Sequence, residues 1–174
     1  MKKSDLRKHM KQMRDQYDLE KREKENDIII RKIKADPLFQ QAKTIAIFYP
    51  MGSEIDLRYL MNEKQTFCFP KIEHDEMHFY AYYPMQAFAA SKFGVMEPLD
   101  GKRCDDEIDY MLTPALAISK EGYRIGYGKG YYDQFLTTYR PKHVFGVIFS
   151  FQEVDTFDVF SHDQKLDGYF KGNL

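Results

Sequence analysis

Several short runs of almost unbroken apolar residues constrain this chain more than any other feature. Residues 44–49 carry Ile45-Ala46-Ile47-Phe48, residues 66–69 carry Phe67-Cys68-Phe69, and residues 116–118 and 144–149 are of the same kind. Each is too short for a typical helix and lacks the alternation of a strand with one wet face. Each therefore reads as a strand buried on both faces. Residues 108–112 add another short strand, and the aromatic-rich stretch 77–83 alternates as one arm of a hairpin would. Pro50-Met51-Gly52, Pro70 and Lys120-Glu121-Gly122 mark the stops and turns.

Helical patterns lie between these runs. Residues 4 to about 35 read as a long charged helix, with Ser4 as its N-cap and Asp5 in its first turn. Leu6, Met10, Met13 and Tyr17 form one apolar stripe, a break falls near Tyr17-Asp18, and Ile28, Ile29, Ile30 and Ile33 anchor the second half. Pro37 interrupts, residues 38–42 form a short helix, and residues 56–62 form another with Asp56 at its cap. Residues 84–101 read as a mixed connection. Helices alternating with buried strands specify an α/β layer sandwich with a largely parallel central sheet. In such sheets ligands gather beyond the carboxyl ends of the strands. The loop at 49–56 and the glycine-rich run described next both follow strands and so line one cleft.

The run Arg124-Ile125-Gly126-Tyr127-Gly128-Lys129-Gly130-Tyr131-Tyr132-Asp133 carries the chemistry. Alternating glycines admit φ > 0 and let a ligand approach the backbone without a Cβ in the way. Successive N–H groups in such a loop converge on an anion, most often phosphate. A helix beginning at Tyr131 adds positive potential at the same point. Lys129 supplies a mobile ammonium, and Asp133 suits a hard cation such as Mg²⁺. Glycines at this spacing also close plain tight turns. The run is neither a P-loop nor a dinucleotide-binding fingerprint, since the closing Gly-Lys-Ser/Thr and the required glycine spacing are both missing.

Composition narrows the classes. At 174 residues the chain fits a single domain, 1–174, with a sizeable core. A net charge of −1 argues against a nucleic-acid module and supplies no pull toward a membrane. No apolar segment approaches a membrane span, and the N-terminus is charged, not a signal region. Cys68 reads as a small hydrophobe within a strand, and Cys104 lies in a polar stretch. Two such cysteines make no disulfide framework and favour a reducing cytoplasm. The 14 Phe and 13 Tyr, with no Trp, fill the core or stack on a flat ligand ring. His74-Asp75-Glu76-Met77-His78 nearly spells H-E-x-x-H but has Asp in place of the catalytic Glu, and it lies between two strands, so it reads as a solvated hairpin turn.

The ten-residue run resembles the signature of the 5-formyltetrahydrofolate cyclo-ligase family, also called methenyltetrahydrofolate synthetase. The strand ahead of it, Thr113-Pro114-Ala115-Leu116-Ala117-Ile118-Ser119, resembles the family's Pro-Gly-Leu-Ala-Phe-Asp element, with Ala115 and Ser119 departing from it. Lys3-Ser4-Asp5-Leu6-Arg7, the segment Ile47 to Asp56, Phe67-Cys68-Phe69-Pro70-Lys71 and Phe93-Gly94-Val95-Met96-Glu97-Pro98 resemble further family elements in order. The tail Asp167-Gly168-Tyr169-Phe170-Lys171-Gly172 lacks the Thr-Glu ending of many relatives.

The resemblance implies a Rossmann-like three-layer α/β/α sandwich. It implies ATP-dependent conversion of 5-formyltetrahydrofolate to 5,10-methenyltetrahydrofolate, with ATP and Mg²⁺ as cofactors. On this resemblance the ATP site comprises Lys3, Ser4, Asp5, Leu6 and Arg7, together with Arg124, Ile125, Gly126, Tyr127, Gly128, Lys129, Gly130, Tyr131 and Tyr132. The folate contacts are Tyr49, Glu54, Phe93, Tyr127, Gly128, Lys129, Gly130 and Tyr131. Lys129 and Arg124 carry the catalytic charge, and Asp133 and Asp167 hold the metal. A carboxylate such as Glu54 accepts the paired N–H donors of a pterin edge. Each acid also has a plainer role: Glu54 as a loop charge, Asp133 as a local partner of Lys129 or Arg124, and Asp167-Gly168 as a turn. Phe93 either stacks on the folate or packs in the core. The remaining basic residues of the first helix read as a solvated face. The expected partner is a folate, free or polyglutamylated, with no nucleic acid and no membrane, and the expected state is a monomer or weak homodimer. The competing classes are a sugar-phosphate isomerase or coenzyme A transferase of similar fold, which need no ATP, and a nucleic-acid binding module.

Overall fold

A computed structural model describes residues 2–174. Its centre is a six-stranded sheet in the order β11-β9-β6-β1-β2-β3. The strands are β1 (Thr44–Ala46), β2 (Thr66–Glu73), β3 (Glu76–Ala81), β6 (Tyr110–Thr113), β9 (His143–Ile148) and β11 (Gly168–Lys171). All neighbours pair in parallel except β2 and β3, which form an antiparallel hairpin. Successive residues point to opposite faces, so each short apolar strand feeds two cores. Ile45, Phe67, Phe69, Tyr110 and Leu112 pack against Ile29, Ile30 and Ile33 of α2 (Leu19–Lys34) and Phe39 of α3 (Pro37–Gln41). Ala46, Cys68, Met111, Val144 and Ile148 pack on the other face against Phe135 and Leu136 of α4 (Tyr131–Tyr139). The layer sandwich and largely parallel sheet of the sequence reading are therefore present.

The long N-terminal helix is two helices. α1 (Lys3–Asp15) ends at Gln16, and Asp18 caps α2 by accepting from Lys21 N–H at 3.0 Å. The break thus falls where Tyr17-Asp18 predicted it. Ser4 lies inside α1 and is not its cap. Leu6, Met10 and Arg14 form the buried face, while Met13 is exposed. Leu6 and Met10 rest on a second, three-stranded sheet of β7 (Ala117–Ser119), β8 (Arg124–Ile125) and β10 (Glu153–Val154).

Three local expectations are corrected. Residues 56–62 form only a 3₁₀ turn, Arg58–Leu60, and the Asp56 carboxylate accepts from both the Arg58 N–H and its guanidinium. β2 runs through Pro70 instead of stopping there. Pro70 pairs with Phe79, whose N–H turns outward to Asp105 Oδ1 at 2.6 Å, so no ladder bond needs a Pro70 donor on that side. β1, on the other side, pairs with β2 only as far as Cys68. The mixed connection at 84–101 holds a small hairpin of β4 (Phe88–Ala90) and β5 (Met96–Pro98).

Cys104, expected in a polar stretch, is buried, and its sulfur meets that of Cys68 in the second core. Their Cα atoms are 7.3 Å apart, wider than a disulfide spans without backbone movement, so the two side chains pack as core thiols. His74 and Asp75 occupy the exposed β2–β3 turn with positive φ, as the solvated-turn reading expects, but Met77 and His78 are buried within β3, with His78 bonded to Asp105, so the reading fails for the end of the His74–His78 run. Among the described residues no helix is long and apolar enough to cross a membrane.

Candidate functional site

A cavity of about 580 Å³ opens beyond the carboxyl ends of β1 and β6, a size typical of small-molecule sites. Phe48 and Tyr49 follow β1, Pro114 follows β6, and Pro70 and Ile72 of β2 form one wall. The glycine run lies along the opposite side and leads into α4. The two loops that the sequence places after buried strands therefore do share one cleft.

The glycine run is open to a ligand. Gly128 has φ +98° and Gly130 φ +71°, conformations that side-chain-bearing residues rarely adopt. Among the described residues, no protein acceptor takes the main-chain N–H of Gly126, Tyr127, Gly128, Lys129 or Gly130. Gly130 is the N-cap of α4 and has no side-chain cap, so the free N–H groups of the first helical turn face the same space. Arg7 reaches across from α1 and donates from Nε to Gly126 O at 3.0 Å. Lys3, one turn earlier, pairs with Asp163 at 2.5 Å and sits over the Phe160 ring. Of the N-terminal five, Lys3 and Arg7 line the cavity, whereas Ser4 and Asp5 are exposed on the helix and Leu6 is packed in the small core.

Arg124 donates from Nε to Pro114 O at 2.9 Å and lies over the Tyr132 ring. Burial lowers its pKa, and Asp133 and Glu54 oppose that shift. Burial also raises the Tyr132 phenol, so it stays protonated. Lys129 is exposed, with Nζ 5.6 Å from the centre of the Phe93 ring. Phe93 stands on the turn between β4 and β5 and is 42% exposed, which favours the ligand-facing role over core packing.

The other end of the cavity is built on side chains. Glu54 Oε1 accepts from Met51 N–H at 2.8 Å, and Oε2 accepts from the Tyr127 hydroxyl at 3.0 Å. Burial raises the Glu54 pKa, against the Met51 N–H and the nearby Arg14 charge. Arg14 is buried and donates to Ser53 Oγ at 3.0 Å and to the Tyr127 hydroxyl at 2.6 Å. Tyr49 lines the same wall, between the Phe88 ring and the Arg58 guanidinium. The sequence reading placed Arg14 on a solvated face. Its spacing from Leu6 and Met10, eight and four residues, was the available signal for burial.

The paired-acid site expected of Asp133 and Asp167 does not form. Asp133 lies in the first turn of α4 and lines the cavity. Asp167 accepts from Val144 N–H at 2.8 Å and from Arg140 at 3.1 Å, at the amino end of β9 and away from the cavity. Asp163 lines the cavity instead, and its neighbour Gln164 donates its N–H to Asp133 Oδ1 at 3.1 Å. Burial pushes Asp163 up, but the hydrogen bonds from Lys3 and the Phe160 N–H outweigh it and leave its pKa lowered. The His162-Asp163 pair carried no recognisable spacing in the sequence. Only the fold of residues 157–163 over the cleft brings it into view. Among the described residues no group of three or more His, Cys, Asp or Glu side chains forms a ready-made metal cage.

The model of the 5-formyltetrahydrofolate cyclo-ligase family matches residues 1–170. The chain is 28% identical over 123 residues to the 5-formyltetrahydrofolate cyclo-ligase of Haemophilus influenzae, an alignment spanning 65% of this chain and 66% of that relative, just under two thirds of its length. It is 25% identical to the mouse 5-formyltetrahydrofolate cyclo-ligase over 182 residues, 93% of this chain and 89% of the relative. The solved structure of Aquifex aeolicus 5,10-methenyltetrahydrofolate synthetase superposes with a TM-score of 0.89 at 31% identity, covering 100% of this chain and 91% of that one. A 5,10-methenyltetrahydrofolate synthetase from Mycoplasma pneumoniae superposes with a TM-score of 0.74 at 26% identity, covering 98% of each chain.

Proposed function

Since this chain belongs to the 5-formyltetrahydrofolate cyclo-ligase family, we propose that it converts 5-formyltetrahydrofolate to 5,10-methenyltetrahydrofolate at the expense of ATP. The observation that carries this reading is a single cavity with two unlike ends. One end offers unpaired backbone amides and a helix N-terminus, and the other a buried carboxylate held between donors.

The formyl amide is a poor electrophile and its oxygen a poor leaving group. Transfer of the γ-phosphoryl group to that oxygen forms an O–P bond and releases ADP. The N10 nitrogen then attacks the activated carbon and gives up its proton. The C–O bond breaks, its electron pair leaves with phosphate, and the methenyl bridge closes. Such chemistry needs positioning and charge stabilisation more than a protein nucleophile. The amides of Gly126 to Gly130 and the first turn of α4 hold phosphate oxygens, joined by Arg7, Lys3 and Lys129. Arg124, fixed by Pro114 O and stacked on Tyr132, supplies a charge that does not move as the reaction proceeds. Glu54 takes the N–H donors of the pterin edge, and Tyr49 and Phe93 offer ring faces. Asp133 and Asp163 are the carboxylates that fit Mg²⁺, which takes one or two acids and fills its remaining positions with phosphate and water. When bound, the ion would neutralise charge on the β- and γ-phosphate oxygens. The same reading makes the protein a cytoplasmic monomer or weak homodimer acting on free or polyglutamylated folate.

The test is an absorbance assay for methenyl product with purified protein. Product should form only with ATP and Mg²⁺ present, and ADP should appear in equal amount. Turnover of the folate without ATP consumption would point to an isomerase or transferase and overturn the proposal.

A further inference from the structure

The first helix meets both ends of the cavity. Lys3 and Arg7 lie at the glycine run, and Arg14, two turns after Arg7, lies beneath Glu54 and Tyr127. Arg14 is only 2% exposed, an unusual place for a cation unless it is fully engaged. Its Nε donates to Ser53 Oγ, and Ser53 in turn donates to Asp15 Oδ1 at 2.6 Å. Its second terminal nitrogen donates to the Tyr127 hydroxyl at 2.6 Å.

The direction of these bonds matters. A guanidinium has donors and no acceptor, so the Tyr127 oxygen must accept from Arg14. The Tyr127 proton then goes to Glu54 Oε2, the other partner within reach. With Met51 N–H on Oε1, each carboxylate oxygen holds one fixed donor and keeps lone-pair capacity for a ligand. The rotation of the Glu54 carboxylate is thereby set by a residue on a different element.

We propose that Arg14 is a positioning residue for the folate end of the site, acting through the Tyr127 hydroxyl and Ser53 to fix the carboxylate of Glu54. The inference rests on the assignment of Glu54 to the pterin edge. Arg14 itself touches no substrate in this scheme. Its role is to make α1 the element that holds the carboxylate at one end of the cleft and supplies phosphate ligands at the other.

The experiment measures KM and dissociation constants for 5-formyltetrahydrofolate and for ATP in Arg14→Met, Tyr127→Phe, the double variant and Glu54→Gln, each checked by thermal melting. Tyr127→Phe keeps the ring and removes one hydroxyl from a side chain that is 40% exposed, so it serves if Arg14→Met folds poorly. The expected result is a folate affinity about tenfold weaker in both single variants, with ATP affinity within about twofold of wild type. The double variant should be hardly worse than either single one, because the two side chains form one chain of bonds. Arg14→Lys, which keeps the charge on a single donor nitrogen, should recover part of the folate affinity. Equal losses for ATP and folate, or unchanged folate affinity in Tyr127→Phe, would overturn the positioning role. If Glu54→Gln also leaves folate binding intact, the pterin assignment falls with it. If only Glu54→Gln loses folate, the proposal for Arg14 alone is wrong.

Discussion

The two ends of the cleft are built by different means. At the end proposed for phosphate the main chain supplies most of the donors: five successive amides without acceptors among the described residues, a helix N-terminus, and glycines in conformations that side-chain-bearing residues rarely adopt. At the other end the backbone contributes one N–H, from Met51, and the rest is a chain of side chains running Asp15–Ser53–Arg14–Tyr127–Glu54. A backbone cradle tolerates changes in the residues between its glycines but not in the glycines. A side-chain network is sensitive at every member. The difference predicts where substitutions hurt and which ligand each one affects.

The largest effect should come from Gly128→Val. Valine is badly suited to φ +98°, and the nearest group its Cβ would meet is the Arg7 guanidinium, at 3.6 Å. The loop must then shift, moving the amides and Arg7 together. ATP-dependent turnover should fall by at least about a hundredfold, the scale at which lost charge-stabilising donors are felt. The melting temperature should change little, because the loop is exposed and the nearest atoms to a Cβ at Gly128 all belong to the Arg7 side chain, and folate binding should weaken less than ATP binding. A folate titration beside the turnover assay checks this. Parallel loss of both ligands would erase the contrast between the ends.

Next in size is the metal position. Asp163→Asn should raise the Mg²⁺ concentration needed for half-maximal rate by about tenfold or more, since it removes one of the two carboxylates proposed for the ion. Asp167→Asn should leave that requirement unchanged. It should instead lower stability by about 1–2 kcal/mol, because its carboxylate joins the Val144 amide to Arg140. A magnesium titration and a urea melt on the two variants separate the roles. The opposite pattern would restore Asp167 as the ligand.

Glu54→Gln sharpens the contrast in another way. Folate affinity should fall by about tenfold and ATP affinity should hold. Stability should move the other way. Burial raises the Glu54 pKa in the folded state above its unfolded value, so the native state holds the proton more tightly. That contribution favours folding at low pH and is lost as pH rises through the raised folded pKa. Removing the charge should therefore raise the melting temperature near neutral pH and leave it nearly unchanged in acid. Folate affinity of the wild type should decline, on acidification, at a pH above the ordinary carboxylate range. A melting temperature lower at neutral pH than at low pH, relative to wild type, would show that the Tyr127 and Met51 donors outweigh burial.

The same contrast governs what could be read from the chain. The glycine run, Lys3, Arg7 and the apolar strands were legible because their physics is local: glycine spacing, helix spacing, unbroken hydrophobicity. β1, β2 and β9 lie where the apolar runs put them, and α4 starts at Tyr131 as expected. What was lost is long-range. Asp167 and Asp163 are both exposed-looking acids near a turn, and only the path of the chain after β10 decides which one faces the cleft. Arg14 looked like one more surface cation because a side chain's partners 39 and 113 residues away leave no mark on its own neighbourhood. Met13 took its place in the predicted stripe simply by being apolar. The β4–β5 hairpin was missed because strands of three residues, around small residues such as Ala89 and Ala90, carry too little pattern to count.

The smallest effect belongs to the mouth of the cleft, where the two ends meet. Lys129 from the glycine run lies 5.6 Å from the centre of the Phe93 ring on the β4–β5 turn. An exposed cation–π contact of this kind contributes about 0.5–1 kcal/mol. Phe93→Leu keeps an apolar group but removes the ring face. If the pair only tethers the turn, KM for ATP and for folate should both rise by no more than about threefold. If the ring also stacks on the folate, the folate KM should rise further, by about another factor of three to ten, while that for ATP stays put. Lys129→Met on the Phe93→Leu background completes the cycle. A coupling confined to ATP would assign the contact to the phosphate end, and one confined to folate would make the turn part of the side-chain-built end.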